Sequence, residues 1–336
     1  MSPSLDVTLK RHPSLYFEDG DIVISVAASA ESVQLFRVHH IFLANSSPVF
    51  RDMLSLPAGT EKESSAHVNE QYDGVPLVHC QDDPDDFAEL LHVLYDPSML
   101  YTMLEPVYYD TATVLVGLMS LSDKYCMDKI KAAIGARVMK DWPTTIDQYD
   151  NAAQACMNYH PGRLLSMAWD FVFPEPVAAI EFATKFNTPE ILPAAFYHLA
   201  TLDTSIKWTG MEYKPAGRWS ELSSQNVARF IIGRDKLYKA TVASVLGVFD
   251  EPCEYAVCDT ARAVRRQDVI ATTFLEANVT QHMDPLRIYN QLRENIGFSD
   301  VCVDCQFRIA HRLSEEKGVL WECLKVFFDL PNPQPT

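Results

Sequence analysis

Residues 36–54 read FRVHHIFLANSSPVFRDML, and the spacing inside this stretch decides the fold. His39 and His40 stand close to Ser46 and Ser47, the residue types of a catalytic base and its nucleophile. A serine hydrolase needs more than proximity: a strained strand-to-helix elbow of the Gly-x-Ser-x-Gly type, an acid partner and oxyanion donors. The stretch supplies none of these. It reads instead as a strand running into two short helices. After His39, the residues Ile41, Phe42, Leu43, Val49, Phe50, Met53 and Leu54 fall in helical clusters, and Ser47-Pro48 has the form of an N-cap followed by a first-turn proline. No catalytic residue is assigned, and the chain is read as non-enzymatic.

Upstream, DIVISV (Asp21 to Val26) alternates and is β-branched, so it reads as a strand. SVQLFRVH is its partner, and AASAES is the turn between them. Residues 1–17 are polar and read as a flexible tail. Downstream, LPAGTEKESSAHVNEQYDG is a loop, and VPLVHC returns to strand character. DDPDDFAELLHVLY opens with Asp83 as cap, Pro84 in the first turn and acidic residues that favour a helix N-terminus. Its apolar positions Phe87, Leu90, Leu91 and Leu94 keep helical spacing. DPSMLYTMLEP reads as a connector. Two helical patterns then follow, over 111–125 and 127–140, with Asp110 as the cap of the first.

The order β-β-α-α-β-α-α-α argues for an α+β module rather than a wound parallel sheet. Beyond Pro143 the pattern is helical almost throughout. Thr188-Pro189-Glu190 repeats the cap logic, and Gly233 within a long apolar-periodic stretch marks a break or a close helix contact. The expected organisation is a tail (1–17), the α+β domain (18–140), a helical domain (141–250), a helical cysteine-containing region (251–330) and a disordered tail (331–336).

The 336-residue chain carries a formal charge of -17. Nucleic-acid binding needs a basic face. The dense basic cluster Arg262, Arg265 and Arg266 is flanked by Asp259 and Asp268, so no direct nucleic-acid binding is expected. No apolar run is long enough to span a membrane, and the N-terminus has no signal-peptide core, so no membrane partner is expected either. There is no Gly-rich phosphate loop. The expected location is cytoplasmic or nuclear, where cysteines are thiols or metal ligands.

Cys253-x4-Cys258 and Cys302-x2-Cys305 form two pairs whose thiolates are the ligand set of a closed structural zinc site. The competing reading is four small buried thiols. His311 is a substitute ligand. Cys80, Cys126, Cys156 and Cys323 are single residues in apolar patterns and read as core. Trp208, Tyr213 and Trp219 read as a loop packing on helices.

The residues around the opening stretch carry a family resemblance. Asp21, His39, Leu43, Ala44, Ser47, Phe50 and Met53 resemble the central signature of BTB/POZ domains. LMSLSDKYCMDKI is similar to a later element of that family, with Lys124-Tyr125 retained, Ser122 for alanine and Ile130 for leucine. FRDMLSLP, DDPDDFAELLHVLYDP and TPEILPAAFYHLA resemble fungal BTB-containing proteins over nearly the full length, and those proteins tend to carry cysteines in similar places. The resemblance implies a BTB/POZ fold followed by an all-α C-terminal part. It implies an adaptor that homodimerises through its N-terminal segment and first helices and recruits a protein partner through an outer face.

Two alternatives follow from the same resemblance. In a substrate adaptor of a cullin-type ubiquitin ligase, a hydrophobic-x-Glu motif follows the Phe-x2-Met helix; Ala58-Gly59-Thr60 stands there instead. In a nuclear transcriptional regulator, a basic residue follows the signature histidine and pairs with the opening aspartate; here that residue is His40, a weaker base.

Overall fold

The computed structural model describes residues 8–29, 32–55, 70–103, 110–159, 173–206, 216–275, 284–295 and 301–331. The chain forms two compact units, Met1–Val107 with Thr113–Arg137, and Tyr108–Ala112 with Val138–Thr336.

The first unit is built on a five-stranded sheet of order β1-β3-β2-β5-β4. β2 (Ile22–Ser29) and β3 (Ser32–Val38) form the expected antiparallel pair. β5 (Val75–Cys80) lies parallel to β2, and the short β4 (Gln71–Tyr72) is antiparallel to β5. β1 (Thr8–Tyr16) runs parallel to β3. This corrects the reading of residues 1–17 as a flexible tail, at least from Thr8 onward. The sequence TLKRHPSLY shows no alternation because β1 is an edge strand that buries only Leu15. Backbone pairing, which leaves no side-chain pattern, holds the rest.

β4 and β5 are joined by Asp73-Gly74, with φ of 51° and 78°. Two successive positive φ values are those of a type I′ hairpin turn, for which Asp-Gly is a favoured pair. The stretch therefore ends in a hairpin rather than a loop. Asp73 also accepts hydrogen bonds from Arg11 (2.7 Å) and the Tyr16 hydroxyl (2.5 Å). Those donors sit on the opposite edge strand, so the sheet curls until its two edges meet.

The helices of this unit follow sequence logic closely. α1 (His40–Ser46) and α2 (Pro48–Ser55) flank Ser47. α3 (Pro84–Tyr95) is capped by the Asp83 carboxylate, which accepts from the amides of Asp85 (2.9 Å) and Asp86 (3.2 Å). Part of the expected connector is helical as α4 (Ser98–Met103). α5 (Thr111–Lys124) and α6 (Asp128–Lys140) match the two helical patterns. Asp110 precedes α5, and its carboxylate accepts from Arg218.

The second unit is helical: α7 (Ile146–Tyr159), α8 (Pro176–Phe186), α9 (Leu192–Thr201), α10 (Ser224–Gly247), α11 (Ala256–Val269), α12 (Pro285–Asn295) and α13 (Val303–Phe327). Thr188 does not cap as expected. Asn187 takes the left-handed conformation at the end of α8, Pro189–Ile191 forms a 3-10 turn, and the Thr188 hydroxyl is buried without a partner.

The long helices α10 and α13 pack on each other, so the expected division between 141–250 and 251–330 falls inside one unit. Gly233 permits that contact. A methyl group there would lie 2.0 Å from Cδ1 of the fully buried Phe328. Among the described residues, no helix is long and apolar enough to cross a membrane. Trp219 packs on Phe230 at 5.3 Å; Trp208, Tyr213 and residues 332–336 lie outside the described residues.

Candidate functional site

The junction of β3, α1 and α2 turns three signature side chains inward. Leu43, Ser47 and Phe50 are fully buried. Ser47 Oγ donates to the Tyr125 carbonyl (2.5 Å) and accepts from the Phe50 amide (3.1 Å). Phe50 stacks on Tyr125 at 4.2 Å. Tyr125 in turn donates to Asp82 (2.5 Å), which also receives Lys124 (2.6 Å). Burial pushes the Tyr125 phenol up, so it stays a donor. Met53 is half-buried beside this core.

A hydroxyl fixed by two backbone bonds at zero exposure is an N-cap and a tie, not a nucleophile. Neither neighbouring histidine serves it. The His39 ring lies 2.8 Å from the Tyr95 hydroxyl through Nδ1. Its side chain makes no capping bond to α1. His40 turns to Asp21. Its amide donates to Oδ1 (2.6 Å), and its Nδ1 is 2.5 Å from Oδ2. Partial burial raises the Asp21 carboxyl, but the His40 amide and ring outweigh that and hold it below the usual carboxylate range.

One Ser–His–Glu string does occur, away from this junction. Ser25 Oγ is 2.5 Å from His79 Nδ1, and His79 Nε2 is 2.9 Å from Glu70. Ser25 and His79 are register partners across the parallel β2–β5 pair. The string is what that register sets side by side, and it ties two strands. The spacing 25–79 gives no local signal of it.

On the outside of the same helices, Ile41, Phe42 and Val49 are exposed by 49, 39 and 36%. These three apolar residues are exposed on α1 and α2 while their neighbours Leu43 and Phe50 fill the core.

The second unit brings all four predicted cysteines together. The sulfurs of Cys253, Cys258, Cys302 and Cys305 all lie within 4.8 Å of one another. Cys302 is the N-cap of α13, and its sulfur accepts from the Cys305 amide (3.5 Å). The Cys302 amide donates to Cys258 Sγ (3.1 Å), and Arg308 donates to Cys305 Sγ (3.3 Å). The Cys305 amide lowers the Cys302 thiol to about 7, whereas burial pushes the Cys305 thiol up to about 12.

His311 is not part of the group; its ring pairs with Glu315 at 3.3 Å. Six residues beyond Cys305, it is rotated by about 240° around the helix, so it points elsewhere. Cys80 is buried as expected, but Cys126 is exposed. It sits past the end of α5 at φ 53°, between the buried Tyr125 and Met127. The Cys156 side chain lies outside the described residues.

The Arg262, Arg265 and Arg266 cluster is largely used internally. Arg262 is buried and pairs with Asp259, and Arg266 lies 3.4 Å from Asp250. A cavity of about 220 Å³ beside Asp150, Asn290 and Lys317 is smaller than the roughly 300–1,000 Å³ of small-molecule sites. Lys317 already fills its polar side, donating to Asp150 and Asn290.

No curated protein matches the chain. Residues 17–138 match the BTB/POZ domain, and the chain therefore carries a BTB/POZ domain, a protein-interaction module, ahead of its helical C-terminal region.

Proposed function

We propose that the chain is a non-enzymatic adaptor that homodimerises through its BTB/POZ domain and docks a protein partner. The observation that carries this reading is the exposed apolar group Ile41, Phe42 and Val49, on the first helices of a domain whose family works by protein contact. Apolar side chains gathered on a surface gain free energy when a second surface covers them. A cytosolic or nuclear setting fits the free thiols of the cysteine group.

Light scattering of the full chain at micromolar concentration should give the mass of a dimer. Ile41→Asp with Val49→Asp should shift it to monomer while leaving the circular dichroism unchanged, because both side chains face outward. Val257→Asp, at a position 75% exposed in the other unit, should leave the dimer intact. A wild-type monomer mass would refute the proposal.

One observation favours the transcriptional-regulator alternative over the ubiquitin-ligase one. Asp21 and His40 form the close pair that the resemblance associates with that class. His40→Ala should then weaken capture of a regulatory partner without changing the dimer mass.

A further inference from the structure

We propose that Cys253, Cys258, Cys302 and Cys305 bind one zinc ion as a closed tetrahedral tetrathiolate site that fastens the start of α11 to the start of α13. The four ligands come from two chain segments with more than forty residues between them, and folding alone has brought their sulfurs within 4.8 Å of one another. A tetrahedral zinc with ligands at about 2.3 Å places its sulfurs about 3.8 Å apart. Cys253 Sγ and Cys302 Sγ are 3.8 Å apart, which already matches that edge and is too long for a sulfur–sulfur bond of about 2.05 Å.

The surroundings suit thiolates. Two backbone amides and the Arg308 guanidinium aim N–H groups at three of the four sulfurs. Such contacts offset the negative charge that four thiolates leave around a divalent ion. Asp259 accepts from the Cys253 amide (3.1 Å) and so holds the outer ligand in place.

Softness and geometry narrow the ion. An all-sulfur tetrahedron selects zinc or iron among common metals, and sulfurs this close enclose a single ion rather than a multi-iron cluster. With every position taken by sulfur, no open coordination site remains for a substrate or an activated water, so the role is structural. Cys258 and Cys305 are buried, while Cys253 and Cys302 are only partly so; the outer pair is the side from which the ion enters.

The test uses the intact chain. Protein purified under reducing conditions should contain about one zinc per chain by elemental analysis. Protein from cells grown with cobalt(II) in place of zinc should show the intense visible bands and thiolate charge-transfer absorption of a tetrahedral sulfur site. Cys253→Ser, at a partly exposed ligand whose loss the fold should survive, should lower the zinc content and the melting midpoint. Cys323→Ser, outside the group, should leave the zinc content unchanged. Protein without metal, protein with iron instead, a weak octahedral cobalt spectrum, a Cys253–Cys302 disulfide in reduced preparations, or equal zinc loss in the Cys323→Ser control would each overturn the assignment.

Discussion

Ser47 holds the strand-to-helix junction with two bonds of opposite sense, accepting from its own helix and donating to the carbonyl of Tyr125 across the core. Ser47→Ala should therefore remove a cap and leave a buried carbonyl unpaired, a loss of about 2 kcal/mol in denaturant unfolding. A cost near zero would mean that the hydroxyl carries no part of the junction.

His198 is a second informative residue. It is buried between Trp142 and Phe173, and desolvation lowers its pKa from 6.5 to about 4. Between those values the unfolded chain binds a proton there that the folded chain does not. Stability from this residue is complete above pH 6.5 and is lost as pH falls toward 4, by up to about 3 kcal/mol. Burial raises the Asp284 carboxyl, which gives a slope of opposite sign. The difference between wild type and His198→Phe isolates the histidine: the variant's stability should fall less between pH 6.5 and pH 4.5. Parallel curves would show that His198 does not titrate with folding.

Among the elements, α10 and α13 make the clearest case. Alanine in a helix interior normally gains about 1 kcal/mol over glycine. At Gly233 the added methyl would meet the ring of Phe328, and overpacking costs about 1–3 kcal/mol. Phe328 is itself stacked on Phe196 at 5.2 Å and cannot swing clear. Gly233→Ala should therefore destabilise the protein, opposite in sign to the usual substitution, and chemical denaturation reads that sign directly.

Legibility also varied by element. The starts of α2 and α3 could be read because a capping side chain and a proline are local signals at Ser47-Pro48 and Asp83-Pro84. β1 was hidden because parallel pairing to β3 is a long-range backbone interaction that puts no apolar period into TLKRHPSLY. The Asp73-Gly74 turn was legible as a dipeptide but is preceded by a polar stretch that masked it. For the cysteines, the spacing of each pair could be read, whereas the meeting of the two pairs depends on how α11 and α13 pack.

At the scale of the whole molecule, charge sets the conditions for self-association. Each chain carries a formal charge of -17, so two copies repel. Salt shortens the range of that repulsion to about 10 Å at 0.1 M. A dimer held by apolar contact at Ile41, Phe42 and Val49 should tighten severalfold, by a factor of about 3 or more, between 50 and 300 mM salt in sedimentation experiments. Weakening over that range would point to opposite-charge attraction instead.

The close approach of Phe328 to Gly233 has a genetic corollary. An allele with a stop codon just before position 328 would leave a ring-sized hole against the middle of α10. Losing a buried phenyl group costs about 3–5 kcal/mol, a large share of what keeps an ordinary domain folded. Truncations that remove Phe328 should therefore behave as loss-of-abundance alleles.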